Sequence, residues 1–132
     1  MNCPTATTLC SALLLLASAS CNAPRATARY TGTYASDVYR YVPALTNESY
    51  EWEQSITHSV VILFTSTATV DQLRADVRRS VSVPIFTDPN GGIALDVPGY
   101  RTFSVAFGKP EDKDLATLAA GSRSYVQLWI RK

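Results

Sequence analysis

The residues best suited to chemistry lie in the stretch RSYVQLWIRK (123–132), where Tyr125, Gln127 and Trp129 alternate with Val126, Leu128 and Ile130. Successive side chains of a strand point to opposite faces, so the spacing predicts one aliphatic face and one face carrying two aromatic rings and an amide. That second set can stack and hydrogen-bond. Flat rings accept the C–H faces of sugars or the faces of bases, and a neighbouring amide or hydroxyl meets the ligand's polar rim. Thr102 and Ser104 supply hydroxyls of this kind, because they alternate with Phe103 and Val105 in TFSVAF.

Other chemistry finds little support. The single histidine, His58, has no second His or Cys at metal-ligand spacing, so neither a metal nor a cofactor is expected. A nucleophile–His–carboxylate triad would need that same His58 with an oriented acid, which nothing in the sequence marks. DPNGG (88–92) is a turn signal and neither of the phosphate-binding glycine fingerprints. The acids Glu111, Asp112 and Asp114 fall in the first turn of an expected helix, where the macrodipole accounts for them. The run VVILFTSTATVDQL followed by VPIFTDPNGG has a thioredoxin-like rhythm, but Thr65 to Thr69 offers no Cys for a reactive pair. The composition therefore reads as a binding or structural protein and not an enzyme. Twelve Lys and Arg against eleven Asp and Glu, a net charge of +1, also lack the basic excess that nucleic acid requires.

The elements that must position these residues follow from the punctuation. In a chain of 132 residues with 46% hydrophobic content, one domain is expected. Residues 1–21 are uncharged, with an apolar run from Ala12 to Ala17 that is short for a bilayer span, so they read as a signal peptide. Two cleavage readings stand. SASC (18–21) resembles a lipobox, with Ser18 where Leu is usual and Cys21 as the lipidated residue. The other cuts follow small residues, after Ala19 or Ala28, and make Cys21 removed or idle. Cys3 and Cys10 lie inside the signal, so only Cys21 could survive maturation, too few for an intrachain disulfide.

Residues 22–55 hold five of the seven tyrosines and no long period, and read as a Tyr-rich tether with one short packed element near DVYRYVPAL. The sequon at Asn47 matters only in a eukaryotic source. Residues 56–132 form the expected domain. HSVVILFT (58–65) reads as a central strand covered by helices. TVDQLRADVRRS follows as a helix, with a Thr69/Gln72 capping box. VSVPIFT is an edge strand because of Pro84, and an extended stretch broken at PGY leads into Thr102–Phe107. KPEDKDLATLAAG is a second helix, with Pro110 first, Leu115, Leu118 and Ala119 as its stripe and Gly121 as its stop. The strand first described completes the order. This β, α, β, β, α, β order predicts an α+β, ferredoxin-like fold, a four-stranded antiparallel sheet with both helices on one face. The other face, bearing Tyr125, Gln127 and Trp129, then stays open, unless the tyrosines of the N-terminal arm pack across it and make Trp129 a core residue. Phe64 to Asp71 and Phe107 to Asp114 are equally spaced, a faint internal echo of two units.

From His58 onward the chain resembles a SPOR domain, on VVILFTSTATVDQLRADV and GYRTFSVAFGKPEDKDLATLAAG. It departs from that family's pattern at Ile62, Leu63, Phe64 and Thr65, where Gln and Gly are frequent, and in an extra Thr102-Phe103 before the strand proper. The resemblance implies a βαββαβ module that binds peptidoglycan glycan strands stripped of their stem peptides. It places the site on the open face, with Tyr125, Gln127 and Trp129 joined by Thr102 and Ser104. The expected protein is exported to the cell envelope and membrane-tethered through Cys21. The alternative is a secreted or periplasmic interaction or structural protein that uses the same face for protein binding or self-association.

Overall fold

A computed structural model describes residues 27–89, 91–110 and 121–132. The elements run α1 (Ala35–Tyr41), a 3-10 turn (Pro43–Asn47), β1 (Ser49–Ile56), β2 (Ser59–Ser66), α2 (Val70–Ser80), β3 (Ile85–Thr87), β4 (Ile93–Leu95), β5 (Thr102–Gly108) and β6 (Ser124–Arg131). All strands join one antiparallel sheet in the order β1-β2-β6-β5-β4-β3. The α+β class and the antiparallel sheet are as expected. The sheet has six strands instead of four, and β6 lies between β2 and β5. The expected second helix, the Phe107–Asp114 half of the echo and the signal segment with Cys21 fall wholly or mainly outside the described residues.

The two extra strands have separate causes. β4 and β5 come from one extended stretch, and the break expected at PGY separates them: Val97–Tyr100 closes a hydrogen-bonded turn (Tyr100 N to Val97 O, 3.1 Å) with Gly99 at φ +85°. Pro98 and Gly99 fit the two central positions of a type II turn. β1 was assigned to the tether, yet it forms a hairpin with β2 across Thr57 and His58, Ile56 pairing with Ser59. Thr57 takes the positive φ of 53°.

The core explains why residues 28–55 of the expected tether (22–55) are instead part of the domain. One face of the sheet presents Ile62, Phe64, Ile93, Phe103, Val105, Val126, Leu128 and Ile130 to a cluster completed by Tyr30, Val38, Val42, Leu45, Leu73 and Val77. The helices and the N-terminal segment therefore lie on the same side. Tyr50 N donates to Ala28 O (2.8 Å), which draws the segment onto β1, and Tyr30 N donates to the Tyr39 hydroxyl of α1 (2.8 Å). Tyr30 sits 5.2 Å from Tyr50 and 6.4 Å from Phe64 between ring centroids, and Tyr100 stands edge-on to Phe103 at 5.3 Å. These tyrosines serve as core residues. Burial pushes the Tyr30 phenol up to about 12. Tyr100 is raised by burial and by donating its hydroxyl proton to Asp37 of α1.

α2 forms where its cap is written. The Thr69 side chain accepts from Gln72 N at 3.2 Å, and Leu73 and Val77 are buried beneath the helix. At the end of β2, Ser66 Oγ accepts from Ala68 N, while Ser124 Oγ donates to Ala68 O at 2.7 Å. This fixes the start of β6 against the β2–α2 connection.

Candidate functional site on the open sheet face

The face away from the helices is built by strand parity. In β6 the buried residues Ser124, Val126, Leu128 and Ile130 alternate with Tyr125, Gln127, Trp129 and Arg131, which are half-buried or exposed. Trp129 lies directly opposite Ser104 of β5 on one side and Val61 of β2 on the other. Following the pairs outward gives one row across all six strands: Phe86, Ala94, Ser104, Trp129, Val61 and Gln54. The next row holds Ala106, Gln127, Leu63 and Trp52. Thr102 pairs with Arg131. The five residues expected at the site therefore share one face.

The structure adds residues that the sequence reading left out. Large exposed hydrophobics among the described residues are Trp52 (37%), Ile56 (40%), Phe86 (65%) and Trp129 (37%), and register places all four on this face. Trp52 reaches it through a bulge. Tyr50 pairs with core-facing Phe64, but the register shifts before Trp52, which pairs with outward-facing Leu63. Two tryptophans thus flank β2, about 10 Å apart across the strands. Between them Val61 and Leu63 are 2% and 0% exposed, although neither belongs to the main core cluster. β2 is buried on both faces, but the helix cover expected for it lies on only one of them among the described residues.

Tyr125 lies across the neighbouring strand β5. A methyl group at Gly108, its cross-strand partner, would collide with the tyrosine ring and hydroxyl, so the ring covers a position that must stay without a side chain. At this margin Thr65 Oγ1 donates to the Glu51 carboxylate at 2.6 Å. The rest of the face is neutral apart from Arg131.

Comparison with family models, curated proteins and solved structures gave no match. The reading of the face therefore rests on its own geometry. On the helix side, a hollow of about 530 Å³ is lined by Pro43, Ala44, Asn47, Glu48, Asp76, Arg79 and Ser80. Its polar groups knit elements together: Ser80 Oγ donates to Val77 O and accepts from Ala44 N, and Arg79 pairs with Asp76. Burial holds the Glu48 carboxyl above its ordinary range, opposed by a hydrogen bond with Ser66. Among the described residues no group of three or more His, Cys, Asp or Glu is placed to hold a metal, and no helix is long and apolar enough to cross a membrane. His58 is exposed in the β1–β2 turn.

Proposed function

We propose that this is an exported, membrane-tethered protein that binds peptidoglycan glycan strands on the open face of its sheet. One observation carries the reading: the exposed large hydrophobics gather on a single face and are interleaved there with Gln54, Gln127, Ser104 and Thr102. Concentration on one face marks a binding surface, since scattered exposed apolar residues need no function. Rings set among neutral amides and hydroxyls suit sugar rings. A phosphate backbone would call for more cations than a face with one arginine offers. With tryptophans on both sides of β2, the matching ligand is an extended strand of several rings.

The SPOR resemblance and lipidation at Cys21 belong to this proposal.

Co-sedimentation with sacculi and with stripped glycan strands tests the reading. The wild type is expected to pellet with them, and Trp129→Ala to lose binding while keeping its circular dichroism. Trp129 is partly exposed, so its removal should cost about 1–2 kcal/mol, less than the roughly 3–5 kcal/mol of a buried aromatic. Binding retained in folded Trp129→Ala and Tyr125→Ala proteins would refute the site. If folded wild type ignores glycans and its oligomeric mass falls on Trp129→Ala substitution, the face is instead a self-association surface.

A further inference from the structure

Arg131 is the one cationic residue in any described strand, and it stands on the open face beside the proposed platform. Its same-face neighbour along β6 is Trp129, about 7 Å away, and its cross-strand partner is Thr102, as Ser104 is to Trp129. Two hydroxyls, an indole and a guanidinium thus form a compact block. The side chain of Arg131 is exposed, and no carboxylate among the described residues pairs with it. Glu51, the acid associated with this face, has its carboxylate on Thr65 at the β1 margin.

Resting on the glycan reading above, we infer that Arg131 makes the face selective for strands bearing a carboxylate, holding that group while Trp129 stacks on an adjacent ring. A guanidinium presents a planar pair of N–H donors that matches a carboxylate bidentately, and Thr102 lies within the same block to take a neighbouring hydroxyl. An uncharged glycan of the same shape would satisfy the indole and leave the guanidinium to water. Stem-peptide removal frees one carboxylate on each muramic residue, so the strands named above offer the group at a regular repeat.

The test uses the full chain and two forms of the stripped strands, one with free carboxylates and one with those carboxylates converted to methyl amides. Wild type is expected to bind the free-acid form about tenfold or more tightly, as loss of one charge-assisted contact implies. Arg131→Met should bind both forms at the level of the blocked one, and Arg131→Lys should recover part of the preference in a salt-sensitive way. Equal wild-type binding to both forms would overturn the selectivity and leave the glycan reading standing. So would a preference that survives Arg131→Met. Failure to bind either form would remove the glycan reading and this inference together.

Discussion

Leu45→Ala puts the structural role of the N-terminal segment to the test. Val38, Val42 and Leu45 are each 0% exposed, packed under the sheet by α1 and the 3-10 turn. At about 1.5–3 kcal/mol for each fully buried aliphatic side chain, the three contribute roughly 5–9 kcal/mol, comparable with the ~5–15 kcal/mol net stability of an ordinary domain. Truncating Leu45 alone should cost about 2–5 kcal/mol, because the cavity sits between the 3-10 turn and the sheet and cannot collapse freely. A domain of this size loses roughly 4–8 °C in Tm for each kcal/mol. Urea denaturation of the Leu45→Ala variant should therefore show a clearly lowered midpoint at unchanged slope, and a chain starting at Ser49 should fail to fold. A tether residue behaves differently, since surface substitutions stay within about 0.5 kcal/mol. A Leu45→Ala midpoint equivalent to wild type within that margin, or a cooperative transition in the chain starting at Ser49, would refute the packing argument.

Two further outcomes follow from the backbone and the tyrosines. Thr57→Gly should raise stability by up to about 1 kcal/mol, because relief of a left-handed β-branched residue exceeds the entropy that glycine adds to the unfolded chain; a loss in chemical denaturation would contradict the turn geometry. In alkaline solution the buried phenols oppose unfolding until they ionise. The Tyr30 value is raised from 10 to about 12, so its contribution is complete below pH 10 and lost as pH climbs through 12. Tyrosinate absorbance should rise late for Tyr30 and Tyr100, together with loss of folded signal; Tyr30→Phe should remove its share of that pH dependence.

What could be read in advance depended on unbroken periodicity. β6 shows its period of two over eight residues, and α2 has both a cap at Thr69 and a stripe at Leu73 and Val77, so the burial of each was legible. β1 was not, because its bulge sends Tyr50 to the core and Trp52 to the opposite face, and two residues at a spacing of two ought to share a face. Its turn, Thr57-His58, also lacks the Asn-Gly or Asp-Gly signal of a tight hairpin. α1 buries Val38 alone and has no side-chain N-cap bond; its other core contacts are Ala35 and two tyrosines, which a search for aliphatic stripes passes over. The consequence reached the site itself: Trp52 went unseen because its strand did, and Phe86 because a three-residue strand is too short to declare its faces.

The placement of β6 has a kinetic consequence. The hairpin of β1 and β2 and the meander of β3, β4 and β5 share no ladder; every backbone bond joining them in the sheet passes through β6. Ser66 must find Ser124, and Val60 must find Ile130, across loops of roughly sixty residues or more. Closing loops of that length precedes any reward from pairing, so the halves should form early and join slowly. Until they join, the inner edges of β2 and β5 expose unpaired amides and aliphatic side chains to any neighbouring chain. The window for aggregation is therefore set by the arrival time of one strand, and a substitution in β6 can lower the yield of folded protein by lengthening that wait even where it barely alters the stability of the finished sheet.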